Sequence, residues 1–332
     1  ERSNIVIDGN GYTLQGTDAP DSKGLQSFSA SNVTIRNMNI KGFWCGIFLS
    51  SSSNNISRNK ITNNRSGIQL WGSSNNSLVG NKMTNNGYGV ELHGRSNNNI
   101  LSGNSIINND CGIWFCIAFD NLSFENNIIN NNIGILLYAT VSPPCNNRFF
   151  HNNFVGNTGQ VEIDPHGYTN FWDDGYPSGG NYWSDYTGVD YYNGPYQNEA
   201  GSDEIGDSAY IIDANNQDNY PFMKPYGVTH DIGIINVGTS KTFVGQGYSL
   251  RITITVINYG VYDETFNLTL YANTKIVTKF TDTTLTIGNS ATITFTWNTT
   301  GVVKGNYTIT AEATPILGET ETMDNMYIDA VS

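Results

Sequence analysis

Long apolar runs are missing from this 332-residue chain, and no stretch approaches the twenty or so apolar residues that a membrane-spanning helix needs. Charge is also scarce: 14% of residues are ionic, and 16 Lys and Arg face 29 Asp and Glu, for a net charge of −13. That balance excludes nucleic acid and an anionic membrane surface as partners, since both demand a basic face. It permits divalent cations. The four cysteines, Cys45, Cys111, Cys116 and Cys145, form no Cys-X-X-Cys pair, so neither a zinc site nor a redox motif is indicated. His93, His151, His166 and His230 are scattered, with no His-X-His run to suggest copper. Helical periodicity is absent over any useful length. No apolar leader opens the chain, so Glu1 reads as the start of a processed or trimmed chain, with an anchor or upstream rungs among what would have been removed.

What the chain has instead is a repeat. Equivalent columns hold Asn59, Asn81, Asn104 and Asn126, then Ile61, Met83, Ile106 and Ile128, then Gly67, Gly89, Gly112 and Gly134, at spacings of 22 or 23 residues. A weaker rung precedes them around Gly46 and another follows around Asn152. Such a period signals a solenoid, in which one turn cannot bury its apolar face alone. Apolar residues alternate as Ile47/Leu49, Ile68/Leu70, Val90/Leu92, Ile113/Phe115 and Ile135/Leu137, which makes the elements strands. Asn, Gly and Ser fill the spacers and tolerate left-handed turns. The expected fold is all-β: a right-handed parallel β-helix with rungs of about 22 residues stacked at roughly 4.8 Å. The Asn59 column is expected to form an internal ladder in which each amide bonds the next.

These rungs, from about Asn4 to Gly167 and opening on AsnIleValIleAspGlyAsnGlyTyrThrLeuGlnGly (4–16), resemble the right-handed β-helix repeats of the NosD-like and pectate-lyase-like superfamily. The following AsnPheTrpAspAspGlyTyr (170–176), GlyAsnTyrTrpSerAspTyr (180–186), AspGluIleGlyAsp (203–207) and AspAsnTyrProPheMet (218–223) resemble the tails of archaeal NosD-like surface proteins. The resemblance implies a secreted protein of archaeal type and identifies no reaction. Composition shifts near Pro225. From His230 onward, Thr-, Val- and Ile-rich strands are expected at Asp231–Val237, Ser249–Asn258, Thr265–Ala272, Lys275–Thr283, Ser290–Trp297 and Gly305–Ala313, the pattern of a seven-stranded sandwich. HisAspIleGlyIle (230–234), GlyGlnGlyTyrSerLeuArgIleThrIleThrValIleAsnTyrGly (245–260) and GluThrMetAspAsnMet (321–326) resemble CARDB, a cell-adhesion-related, immunoglobulin-like family. The expected layout is a β-helix over 1–167, an irregular capping segment over 168–226 and an immunoglobulin-like β-sandwich over 227–332.

Candidate sites are few. Between Ser31 and Ala139 the acids are Glu91, Asp110, Asp120 and Glu125, and they make no evident acid/base pair. The chain therefore does not read as an enzyme. Period-two counting places Phe48, Gln69, Glu91, Trp114 and Leu136 in one outward column, and Ser50, Trp71, His93, Cys116 and Tyr138 in the next. Trp71, Glu91, His93, Trp114 and Tyr138 are the candidate glycan-binding residues. The competing expectation is that the Tyr- and Trp-rich tail, or a second subunit, covers this face. No cofactor is required. A structural Ca²⁺, which takes about six to eight oxygens, is a candidate at Asp190, Asp203 and Asp207. Sequons stand at Asn32, Asn55, Asn64, Asn75, Asn121, Asn267, Asn298 and Asn306. Cys116 and Cys145 are the favoured disulfide among the possible pairings. Cys45 and Cys111 share a column three rungs apart, about 14 Å, too far to bond.

The expected function is a secreted or cell-surface structural protein that polymerises with itself into a layer, sheath or filament, through exposed strand edges at the β-helix ends and contacts of the sandwich. The alternative is an adhesin that binds surface glycans on the aromatic face. A polysaccharide lyase or hydrolase ranks third. Nucleic acid and direct membrane insertion are not expected.

Overall fold

The fold is given by a computed structural model that describes residues 2–138, 146–163, 169–227 and 229–329. It divides into two compact units, 1–227 and 228–332. In the first, each turn gives one strand to each of three parallel sheets. The first sheet runs from Ile5–Asp8 to Arg148–Phe150, the second from Thr13–Gln15 to Tyr182–Trp183, and the third from Lys23–Ser27 to Gly159–Ile163. Like stacks on like. Ile47, Ile68, Val90, Ile113, Ile135 and Val161 are in register in the third sheet. Ile40, Ile61, Met83, Ile106, Ile128, Phe154 and Trp183 are in register in the second. Full burial of one such side chain contributes about 1.5–3 kcal/mol, so a rung is held by its neighbours more than by itself.

The repeated glycine has a steric cause. A Cβ on Gly67, Gly89 or Gly112 would lie 2.5, 2.6 or 2.5 Å from the glycine carbonyl oxygen of the next rung. No side chain fits that approach.

Three asparagine ladders run up the corners, where the sequence pattern indicated one. In the expected ladder, the Oδ1 of Asn81, Asn104, Asn126, Asn152 and Asn181 each accepts the backbone N–H and the side-chain amide of the asparagine one rung before. A second ladder links Asn54, Asn76, Asn99, Asn121, Asn147 and Asn170. A third links Asn64, Asn86, Asn109, Asn131 and Asn157. The Asn-Asn pair in each rung divides the labour. Asn63, Asn85, Asn108 and Asn130 take the left-handed conformation (φ 52–56°), and the asparagine after each joins the third ladder. Two of the eight sequons fall inside these ladders. Asn64 and Asn121 are buried and their amide nitrogens donate to the next rung, which leaves no room for a glycan on either in the folded chain. Asn32, Asn55, Asn75, Asn267, Asn298 and Asn306 are exposed.

Residues 169–226 close the C-terminal end of the β-helix. Trp172 stacks on Phe149 at 4.4 Å and Trp183 on Phe154 at 4.2 Å, and Tyr210 continues the pile at 4.2 Å. Both tryptophans are fully buried, and their indole N–H groups donate to Asn216 and Asp218. The cap therefore belongs to the β-helix unit.

The second unit is a sandwich of three and four antiparallel strands. Ile232–Thr239, Ser249–Asn258 and Ser290–Asn298 form one sheet; Lys275–Leu285, Glu264–Ala272, Ile309–Ala313 and Met326–Asp329 form the other. Ile252, Ile254, Val256, Leu268, Leu270 and Ala311 fill the space between them. Six of the seven strands match the sequence expectation. The seventh, Met326–Asp329, is four residues with a half-exposed pattern, too short to stand out by alternation.

Candidate functional site

The aromatic face is on the third sheet. Four of its five expected residues meet. Trp71 stacks on His93 (centroids 5.4 Å, 19°), and Trp114 meets His93 edge-on at 4.5 Å. The Nε2 of His93 is 2.7 Å from Oε2 of Glu91. Tyr138 lies further along the same column, in register with Cys116.

Glu91 points outward yet is only 2% exposed. Its Oε1 accepts the Ser66 hydroxyl, and Oε2 accepts Gln69 Nε2 at 3.2 Å as well as His93. Burial opposes charge on His93, but hydrogen bonds to Cys116 and Glu91, with the Glu91 charge, outweigh it and push His93 up to about 9. The pair is thus a buried imidazolium–carboxylate contact. A carboxylate with both oxygens occupied is a poor general acid or base for an incoming sugar.

The sequence reading missed Ser66, Tyr88 and Arg65. Tyr88 stacks on Trp114 at 5.1 Å, and the Arg65 guanidinium lies 4.3 Å from the Trp44 ring and 5.9 Å from that of Tyr88. The cause is a break in period two. Gly89 faces the core, and so does Val90 after it, which returns Tyr88 to the outside. Counting back from Val90 would have placed Tyr88 inside. Beside Tyr88 a trough of about 500 Å³ runs past Asp110, Asn132, Leu136, Thr158 and Glu162.

The tail does not cover this face: Trp71 remains 52% exposed and Tyr138 37%. That corrects the expectation that the tail covers it, and leaves the face open to a ligand or a second subunit. In that segment Trp172 and Trp183 are used in closing the end, where stacking on Phe149 and Phe154 buries them.

The three candidate calcium ligands do not converge. Asp190 accepts Ser202 Oγ and the backbone N–H groups of Asp203 and Glu204. Asp203 accepts Ile205 N and Gln197 Nε2, and Asp207 accepts the N–H groups of Tyr191 and Tyr192. These carboxylates hold the loops themselves. Among the described residues there is no group of three or more His, Cys, Asp or Glu side chains placed to hold a metal. Chelation by EDTA is expected to leave the melting temperature within about 1 °C, because the donors that order these loops are N–H groups of the chain. A fall of 5 °C in a thermal melt, reversed by Ca²⁺, would restore the calcium reading.

Cys45 and Cys111 are buried, and burial pushes both thiols up to about 12. Cys116 is partly exposed and free; the proposed partner Cys145 lies outside the described residues, as does His166.

Three parallel sheets followed by an antiparallel sandwich define a β-helix protein with an appended β-sandwich module. The model of the right handed beta helix region matches residues 23–194, more than half of the chain, and the chain belongs to that family. The CARDB model matches residues 230–327. No curated protein matches the sequence. Among solved structures, an alginate lyase from Paenibacillus sp. str. FPU-7 is similar over 51% of this chain and 78% of its own, at 14% identity and a TM-score of 0.33. XylC in complex with xylose is similar over 85% and 52%, at 10% identity and 0.39. The enzymatically active domain of tailspike protein 2 of bacteriophage CBA120 is similar over 89% and 52%, at 10% identity and 0.38. The chain thus spans about half the length of the last two.

Proposed function

We propose that this chain is an extracellular, adhesion-type protein that binds glycans on the outer face of its third β-sheet. The observation that carries the reading is the exposed Trp71, stacked on His93 and continuous through Trp114 to Tyr88. The exposed Trp71 ring offers an apolar face to a sugar ring, and the trough beside Tyr88 offers amides, hydroxyls and carboxylates to sugar hydroxyls. The abundance of exposed sequons supports an extracellular setting.

Self-assembly by strand addition needs a free strand edge. At the C-terminal end of the β-helix, Trp172, Trp183 and Tyr210 occupy that position, which removes one of the two contacts a head-to-tail polymer would use.

Trp71→Ala tests the glycan reading. Its ring is half exposed, so the melting temperature is expected to hold within about 2 °C while affinity for glycans captured on an array falls about tenfold, the loss of one stacking contact. Capture of no glycan by the native chain, or equal capture by the variant, would sink the proposal.

A further inference from the structure

We propose that Cys116 is a nucleophilic thiol, paired with His93 and Glu91, that takes an acyl group from an ester or thioester. This does not rest on the glycan reading; it follows from how three outward side chains fall on two rungs. Cys116 and His93 are register partners on adjacent parallel strands, so their side chains leave the sheet side by side, about 4.8 Å apart at the backbone. One edge of the imidazole meets Glu91 at 2.7 Å, and Cys116, its register partner, lies close enough to help hold the ring charged. The order is therefore sulfur, imidazole, carboxylate, the arrangement in which a base activates a nucleophile and a third group orients the base.

The surroundings fix that order. Ser66 and Gln69 hold Glu91, while Trp71 against one face of the ring and Trp114 edge-on restrain the plane of His93. The groups that face His93 are Glu91 from its own strand, Cys116 from the next and Ser66 through the carboxylate. Both charged partners favour the imidazolium. The other two described cysteines differ in kind: Cys45 and Cys111 are 1% and 3% exposed and have no imidazole beside them. Cys116 alone of the three is reachable.

The step balances without a further reactant. The thiol proton already resides on His93, whose imidazolium lies between the sulfur and Glu91, and the sulfur attacks the acyl carbon. The bond from that carbon to the leaving oxygen or sulfur breaks, and the leaving group carries away the proton held on His93. A thioester on Cys116 and a free alcohol or thiol result.

The test treats the full, unreduced chain with p-nitrophenyl acetate at pH 7, following p-nitrophenolate release and mapping the acetyl group by peptide mass. One acetyl group is expected, on Cys116, arriving at least about tenfold faster than on N-acetylcysteine, with none on Cys45 or Cys111. His93→Gln is expected to slow the reaction about 100-fold while circular dichroism stays native, the usual scale of a lost acid–base partner. Glu91→Gln, a positioning change, is expected to slow it by less. Acetylation no faster than on N-acetylcysteine, or at an equal rate in a folded His93→Gln chain, would overturn the proposal. So would labelling that appears only after reduction, since Cys116 would then sit in a disulfide. Should His93→Gln fail to fold, the comparison of the native chain with Cys116→Ser and N-acetylcysteine still decides.

Discussion

Asn104→Leu is expected to lower the melting temperature of the β-helix unit by about 10 °C. Asn104 is 1% exposed and lies inside its ladder, with asparagines on both sides. Its Oδ1 accepts the backbone N–H of Asn81 at 2.9 Å and the Asn81 amide at 3.1 Å. Its own amide donates to the Leu78 carbonyl at 2.9 Å and to Asn126 Oδ1 at 2.8 Å. Leucine has similar bulk and none of these atoms. The Asn81 backbone N–H is left with no ladder acceptor, the Asn81 amide keeps only Ile56, and two carbonyl oxygens each lose a donor. An unmet buried polar group costs about 1–3 kcal/mol, which places the total near 4 kcal/mol. At about 2–4 °C per kcal/mol for a unit of this size, a drop of 8–16 °C follows. Leucine recovers some burial, which favours the lower half of that range. A thermal melt that shows no change would mean that these amides are exchanged with water at no cost, and the ladder would be an ornament of the fold.

That ladder was legible in the sequence because Asn59, Asn81, Asn104 and Asn126 align beside apolar columns. The other two ladders were hidden by the same abundance. Asn64, Asn86, Asn109 and Asn131 each follow another asparagine, and nothing in composition says which of two neighbours turns inward. Backbone conformation decides it: the first residue of each pair takes the left-handed turn and the second is swung into the core. Strand type and the sandwich followed from period; the division of each rung among three sheets did not. The site was half legible. Outward parity found Trp71, Glu91, His93 and Trp114, but the inward glycine reset the count and concealed Tyr88 and Ser66. Parity also cannot report burial. Glu91 faces outward and is nonetheless enclosed by its neighbours, which turns a candidate ligand contact into the anchor of His93. The aspartates of the cap illustrate the converse: their density suggested a cation, whereas each of the three candidate carboxylates is committed to the N–H groups of its own loop.

The cap ends the ladders with chemistry of its own, and Asp218→Asn is expected to reveal it through pH. In the Asn104 ladder every step ends in N–H donors that point to the next rung, and Asn181 is the last asparagine. Asp218 takes the following place. Its Oδ2 accepts Asn181 N at 2.7 Å and Trp183 Nε1 at 2.8 Å, and its Oδ1 accepts Tyr220 N at 3.0 Å. The residue is 0% exposed. Burial raises its carboxyl, and although the bonds from Trp183, Asn181 and Tyr220 pull the other way, the result is about 7. The unfolded chain releases the same proton near 3.8. A folded state that keeps a proton the unfolded state has lost is stabilised by it. That contribution is fully present below pH 4 and is lost as pH rises through about 7. Asparagine cannot titrate, so the stability of the native chain minus that of Asp218→Asn should fall across this window, by an amount on the order of 4 kcal/mol, and level off above pH 8. Urea melts of both chains at pH 4, 6 and 8 measure the difference directly. A difference that stays constant would place the carboxyl outside this window. One that grows with pH would mean that the three donors outweigh burial, leaving Asp218 as a permanent anion at the end of the ladder.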